Sequence, residues 1–155
     1  MQILWIRHGK TLGNVQRRYV GRTDEGLTDE AKLCLQKKQV LMQDLCVQTE
    51  SDRNPGKWYH AGAFVPDFVY SSPMMRCRET AEILFPGQVL CVQEGLQETD
   101  FGDFEYKNYE ELKENPAYQA WIDSGGQMMV PNGESGAGFR HRCCRAYEQC
   151  VRDAQ

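Results

Sequence analysis

The sequence predicts an α/β fold around a mostly parallel sheet, and three observations predict it. Short apolar runs alternate with stretches of helical periodicity in the order strand, helix, strand, helix, the pattern of an α/β layer. The runs are unbroken rather than alternating, as in strands covered on both faces. The first two end abruptly in polar clusters, where an open α/β sheet binds its ligands beyond the carboxyl ends of its strands.

The elements follow in order. Ile3-Leu4-Trp5-Ile6 is the first predicted strand, ending in Arg7-His8-Gly9. A helix opens at Thr28, a suitable N-cap, with Asp29 and Glu30 in the first turn where the helix dipole favours acids. Ala31, Cys34, Leu35, Leu41, Met42 and Leu45 recur at helical spacing and carry that helix to about residue 47. Residues 48–64 are polar, contain Pro55-Gly56 and Gly62, and read as a long loop. Asp67 to Ser71 is the second strand, followed by a helix with Ser72 as N-cap, Pro73 in its first position, and Ala81 and Leu84 on its buried face. Val89-Leu90-Cys91-Val92 is the third strand. A short helix near Asn108 to Lys113 has Asn108 and Glu111 at capping spacing, a second runs from Pro116 to Asp123 and closes at Gly125-Gly126, and a third starts near Ser135. Three strands are fewer than the roughly 5 to 6 of an average sheet, so the architecture reads as C-terminally incomplete.

Composition narrows the functional classes. The 155 residues are 41% hydrophobic and 26% charged, the profile of a single ordinary domain spanning 1–155. No apolar run approaches the roughly 20 residues of a membrane-spanning helix. The start has no basic region before its apolar run and no small-residue cleavage site after it, which predicts a cytoplasmic protein. Cysteines 34, 46, 77, 91, 143, 144 and 150 form no C-x-x-C pair and read as free thiols with an apolar packing role. The net charge is −4, yet all 22 acidic residues lie beyond Thr23, while the first 23 residues hold Arg7, Lys10, Arg17, Arg18 and Arg22. A cationic island in a chain of pI about 5.4 points to a small anionic ligand rather than to nucleic acid.

Two polar clusters, Arg7-His8-Gly9-Lys10-Thr11 and Ser71-Ser72-Pro73-Met74-Met75-Arg76, fall at strand ends and would bring two guanidinium groups and an imidazole into one pocket. Arginine's planar fork matches phosphate oxygens, so Arg7 and Arg76 form a candidate phosphate clamp. Neighbouring positive charge disfavours imidazolium and keeps His8 neutral and nucleophilic, the condition for phosphoryl transfer through a phosphohistidine. Gly9 would let the backbone approach a ligand closely.

The blocks R-H-G-K-T-L-G-N at 7–14, R-Y-V-G-R-T-D at 18–24, L-T at 27–28, Y-S-S-P-M-M-R-C-R-E-T-A at 70–81, L-Q-E-T-D-F-G-D-F-E at 96–105 and P-N-G-E-S at 131–135 resemble, in order and spacing, the histidine phosphatase superfamily. Within it they are most similar to the phosphoglycerate mutase-like branch that contains α-ribazole phosphatases. The resemblance implies a three-layer α/β/α phosphoglycerate mutase-like fold. It makes His8 the phosphate-accepting nucleophile, Arg7 and Arg76 the clamp, Asn14 a phosphate-oxygen partner, and Glu98 the general acid and base. Gly21 and Arg22, with Val20, fall in the family's substrate loop. Arg17, Arg18 and Arg78 are expected to be solvated charges. The family's second catalytic histidine has no counterpart, because His60 falls in the 48–64 loop and His141 opposes the Phe139, Cys143, Tyr147, Cys150 stripe and should face solvent.

Three functions therefore compete. The first is a phosphomonoester hydrolase needing no metal or cofactor and acting on a small phosphorylated metabolite, with α-ribazole 5′-phosphate the first compound to test. The others are a mutase-type phosphotransferase and a catalytically deficient phospholigand-binding module. No nucleic-acid or membrane partner is expected, and open sheet edges invite a homo-oligomer.

Overall fold

The structure, a computed structural model, describes residues 1–43 and 65–155, with side chains described outside 40–64. The expected contacts of Leu41, Met42 and Leu45, the helix end near 47, the 48–64 loop, Cys46 and His60 lie outside the described residues. The elements are α1 (Leu12–Val15), α2 (Asp29–Gln43), β1 (Val69–Ser71), α3 (Met75–Leu84), β2 (Leu90–Val92), α4 (Tyr109–Leu112), α5 (Pro116–Asp123) and α6 (Gly136–Asp153), with 3-10 turns at Glu94–Leu96 and Gly102–Phe104.

β1 and β2 pair in parallel, Val69 against Leu90, Tyr70 against Cys91 and Ser71 against Val92, and α3 makes the crossover that parallel pairing requires. The ladder runs on as the Gln93 amide donates to the Ser71 carbonyl at 2.8 Å. One core forms where α2 and α3 cover β1, burying Leu27, Ala31, Leu35, Val69, Leu84 and Phe85 together. Thr28 caps α2 as expected, its hydroxyl accepting from the Ala31 amide at 3.2 Å. Cys34, expected in the buried stripe, is exposed: Ala31 and Leu35, four apart, centre a narrow apolar face, and Cys34 falls beside it.

α3 begins later than expected. Ser72 does not cap it and Pro73 does not open it; Met74 is the N-cap residue, with no side-chain cap bond. The Met75 amide is taken instead by Asp24 Oδ1 at 2.6 Å, so an acid from the first loop satisfies a donor that a local cap would have served. α4, α5 and α6 form where the sequence placed them: Asn108 and Glu111 make the expected reciprocal box, while α5 is capped by Asn115, which accepts from the Ala117 and Tyr118 amides, and α6 by Ser135, which accepts from Gly138.

A second core holds Phe104, Leu112, Tyr118 and Val130 almost wholly buried, flanked by Tyr19, Phe101 and Trp121. Phe104 meets Tyr118 edge-on at 5.4 Å, and the Tyr19 and Tyr118 hydroxyls share a 2.8 Å hydrogen bond. Edge-to-face pairs add about 0.5–1.5 kcal/mol each beyond burial. Residues 10–28 stitch the two cores together, with the Thr28 amide donating to the Lys10 carbonyl and Tyr19 exchanging backbone bonds with Tyr106 and Lys107.

The first predicted strand is corrected. Ile3, Leu4, Trp5 and Ile6 are 46, 52, 68 and 42% exposed and lie in no strand. An apolar run becomes a strand only when another chain segment takes up its backbone groups, and none among the described residues does. Trp5 instead meets the Tyr147 ring at 5.2 Å. The segment forms one wall of an open cavity of about 1260 Å³ whose other walls include Phe68, Tyr70, Leu84, Tyr147 and Cys150.

Phe104→Ala, emptying a fully buried site, is expected to cost about 3–5 kcal/mol in urea unfolding, whereas Leu33→Ala on the exposed side of α2 should stay within about 0.5 kcal/mol. Similar losses for both would contradict the placement of the second core.

Candidate functional site

His8 sits half-buried at the end of the N-terminal segment, where two bonds tie the backbone to α3. The Gly9 amide donates to Thr80 Oγ1 at 3.0 Å, and Thr80 donates in turn to the Arg76 carbonyl at 2.7 Å. A Cβ on Gly9 would stand 3.1 Å from both Leu27 and Leu35 and 3.3 Å from Ala31. The close approach that Gly9 permits in this structure is to Leu27 and to the apolar face of α2.

The His8 ring is oriented by its own neighbour. Its Nδ1 lies 2.7 Å from the Gly9 carbonyl oxygen, which can only accept, so Nδ1 carries the proton and Nε2 is left with its lone pair. Burial holds the imidazole pKa below the usual 6.5; the bond to Gly9 opposes that, Arg76 and Arg7 press it lower, and Glu98 pulls the other way. Three other predicted site residues, Arg76, Arg7 and Glu98, thus lie within electrostatic reach of His8.

Arg76 is almost wholly buried, 1% exposed, on the second residue of α3. Its Nη1 donates to the Thr23 carbonyl at 2.9 Å, and its Nη2 to those of Gly21 at 2.8 Å and Val20 at 3.4 Å, leaving Nε–H buried with no partner. Glu105 grips the same loop from its amide side: Oε1 accepts from the Gly21 and Thr23 amides at 2.9 Å and from the Thr23 hydroxyl at 2.7 Å. Residues 20–23 are held between a buried cation on their carbonyls and a carboxylate on their N–H groups. Gly21 lies against the next segment so closely that a Cβ would come within 2.0 Å of the Thr99 carbonyl.

Most of the other predicted residues have polar partners of their own. Asn14 closes α1 in a reciprocal box with Thr11, accepting through Oδ1 from the Thr11 amide at 3.2 Å, so its Nδ2 is the group it can present outward. Arg22 is exposed and pairs with Asp100 at 3.1 Å. Glu98 is exposed, with Oε1 accepting from the Thr99 amide at 2.8 Å. Arg7 is exposed. Arg17 and Arg78 are exposed as expected, but Arg18 is no free surface charge: it pairs with Glu111 at 2.7 Å, donates to the Tyr106 carbonyl and stacks over the Tyr106 ring at 5.3 Å. His141 is exposed on α6.

Sequence reasoning passed over Glu105, Arg142 and Glu134. Glu105 and Glu134 stood inside quoted blocks as letters without a role. Arg142 stood in a helix read only for its apolar stripe. Its guanidinium donates to the carbonyls of Gly95, Gln97 and Glu98 and to the Glu134 carboxylate, bracing the segment that carries Glu98. Among the described residues no group of three His, Cys, Asp or Glu side chains is placed to hold a metal, the cysteines are free, and no helix is long and apolar enough to cross a membrane.

The arrangement gathers an imidazole with a free Nε2, two guanidinium groups and a carboxyl group, the components of a nucleophile, an anion clamp and a proton carrier. Comparison with known proteins bears on family and fold. The family model of the histidine phosphatase superfamily, branch 1, matches residues 56–155. The adenosylcobalamin/α-ribazole phosphatase of Escherichia coli K12 is 27% identical over 92% of this chain. The chain spans 63% of that relative's length. The crystal structure of the α-ribazole phosphatase from Shigella flexneri superposes on 96% of the chain and 66% of its own with a TM-score of 0.76 at 25% identity. That of a phosphoglycerate mutase from Thermus thermophilus superposes on 92% and 68% with a TM-score of 0.64 at 26% identity. These neighbours place the chain's fold among the phosphoglycerate mutase-like α/β folds.

The His8 environment has a measurable sign. Because folding lowers its pKa, neutral His8 is the stabilising form; its contribution is present above pH 6.5 and is lost as pH falls through the lowered value. Carbon- or nitrogen-detected NMR of the ring should give a midpoint below 6.5, the Nδ1-protonated tautomer above it, and a higher midpoint in Arg76→Met. A midpoint at or above 6.5 would refute this placement.

Proposed function

The chain belongs to the histidine phosphatase superfamily, and from that membership and the pocket we propose that it hydrolyses phosphomonoesters through a phosphohistidine on His8. The observation that carries the proposal is the His8 tautomer: Nδ1 is committed to the Gly9 carbonyl, and Nε2 is left unprotonated beside Arg76.

The phosphate of the substrate binds at His8, with the exposed Arg7 bonding its oxygens and the buried Arg76, its Nη groups committed to the loop, contributing its charge. Asn14 adds a donor through Nδ2. Nε2 of His8 attacks phosphorus in line as the ester P–O bond breaks, and Glu98 protonates the departing alkoxide. Glu98, now a carboxylate, takes a proton from a water that attacks the phosphohistidine, which restores His8 and releases phosphate. The guanidinium charges stabilise the equatorial oxygens of the transition state, so positioning and electrostatics supply most of the rate. Gly21 and Arg22, on the loop held by Arg76 and Glu105, border the substrate's organic part.

The Escherichia coli relative is an adenosylcobalamin/α-ribazole phosphatase, which makes α-ribazole 5′-phosphate the first substrate to try, ahead of sugar and nucleotide phosphates. We place the 1–155 chain in one domain, in a cytoplasmic setting, with a small phosphorylated metabolite as its partner.

Full-length chain is expected to release phosphate from p-nitrophenyl phosphate in excess EDTA, and acid-labile, base-stable label is expected on His8 after a rapid quench with radiolabelled substrate. His8→Ala should abolish both, and Glu98→Gln should lower kcat by about 10²–10⁴ on alkyl phosphates. Turnover that survives His8→Ala refutes the proposal. Phosphate binding without turnover would make the chain a phospholigand-binding module, and interconversion of phosphoglycerates would make it a mutase.

A further inference from the structure

We infer that Arg142 is a positioning residue that holds the proton carrier Glu98 in place, with Glu134 as its partner; the inference rests on the phosphatase reading above. Glu98 lies in a stretch with no regular secondary structure, between the 3-10 turns at Glu94–Leu96 and Gly102–Phe104. A catalytic carboxyl on such a stretch needs something else to fix its backbone, since general acid catalysis depends on hydrogen-bond reach to the leaving oxygen.

α6 supplies it. Arg142 Nη1 donates to the Gly95 and Gln97 carbonyls, each at 3.0 Å, and Nη2 donates to the Glu98 carbonyl at 3.3 Å and to Glu134 Oε1 at 2.6 Å. The Phe139 ring lies 5.4 Å from Cζ and supports the guanidinium from within the same helix. Glu134 extends the brace past Glu98: its Oε1 also accepts from the Asp100 amide at 3.0 Å, and its own amide donates to the Asp100 carbonyl at 3.0 Å. These bonds hold the backbone of 95–100, whereas the Glu98 carboxyl is exposed and acts electrostatically on His8. The backbone is clamped, and with Oε1 accepting from the Thr99 amide, Oε2 is the oxygen that carries the proton. Only a planar group with several N–H donors can serve three carbonyls and a carboxylate at once, so lysine cannot replace it.

The signature of such a role is leaving-group dependence. p-Nitrophenolate departs without a proton, while an alkoxide needs one, so in the first step, transfer of the phosphoryl group to His8, a misplaced Glu98 harms alkyl phosphates selectively; hydrolysis of the phosphohistidine is common to both substrates. In single-turnover rapid quench, Arg142→Lys and Glu134→Gln in the full chain are expected to slow phosphorylation of His8 by glycerol 2-phosphate about 10- to 100-fold more than by p-nitrophenyl phosphate. The same selective loss is expected in Glu98→Gln. Equal losses on both substrates, or none, would overturn the inference. Should Glu98→Gln itself leave the substrate ratio unchanged, the assignment of Glu98 as the acid fails.

Amide hydrogen exchange tests Arg142 without turnover. Exchange across 95–100 is expected to accelerate about tenfold or more in Arg142→Lys, while α4 and α5 keep wild-type rates. Unchanged exchange at 95–100 would overturn the inference whatever the activity. If Arg142→Lys fails to fold, Glu134→Gln, which keeps the guanidinium and its carbonyl bonds, carries both comparisons.

Discussion

The burial of one guanidinium organises the site. Arg76 is a permanent cation with almost no solvent contact, and a charge in that position is tolerated only where acceptors surround it. The acceptors are the carbonyls of Val20, Gly21 and Thr23, so the path of the first loop is dictated by the needs of a side chain more than 50 residues further on. Glu105 takes the loop's amides from the opposite side. Because Thr80, one turn after Arg76 on α3, receives the Gly9 amide, the same helix also sets the position of His8. A ligand anion arriving beside Arg76 would therefore meet a cation whose geometry was fixed beforehand, at no reorganisation cost.

Sequence reasoning reached the parts of this design that act locally. Capping at Thr28 and Asn108 depends on a side chain and an amide three residues away, and those helices begin where the letters say, as do the helices placed at Pro116 and near Ser135. The strand–helix–strand unit was readable for a similar reason, since β1, α3 and β2 are consecutive. What escaped was long-range satisfaction. Asp24 accepting from the Met75 amide, Glu79 accepting from the Leu27 amide at 2.6 Å, and Glu25 accepting from the Gly13 amide at 3.0 Å all replace bonds that a local reading assigns to a neighbour or to water. Arg18 was misread in the same way, its partners Tyr106 and Glu111 lying far along the chain. His8, Arg76 and Glu98 were picked out by motif, yet the residues bonded around them are visible only once the chain is folded.

The N-terminal segment marks the opposite failure. Four consecutive apolar residues satisfied every local criterion for a buried strand, and those criteria are silent about who pairs with it. Its residues remain against a broad apolar cavity, joined to α6 through the Trp5–Tyr147 ring contact. His8 follows this segment closely but does not rely on it for anchorage, since its position is secured from the other direction by Gly9, Thr80 and α2.

The brace that Arg142 forms is made against carbonyl oxygens, which every amino acid carries alike. Replacement of Gln97 by almost any residue would leave its bond to Arg142 untouched, and the same holds for the carbonyl of residue 98 apart from the acid itself. Gly95 is the exception, because an added methyl group would come within 2.6 Å of the Ala146 side chain. Mutational tolerance along this segment should therefore be very uneven: wide at 97, narrow at 95, and concentrated at a single arginine on a distant helix. A scaffold that reads backbone rather than side chains lets the letters around an acid drift while the acid stays where it is.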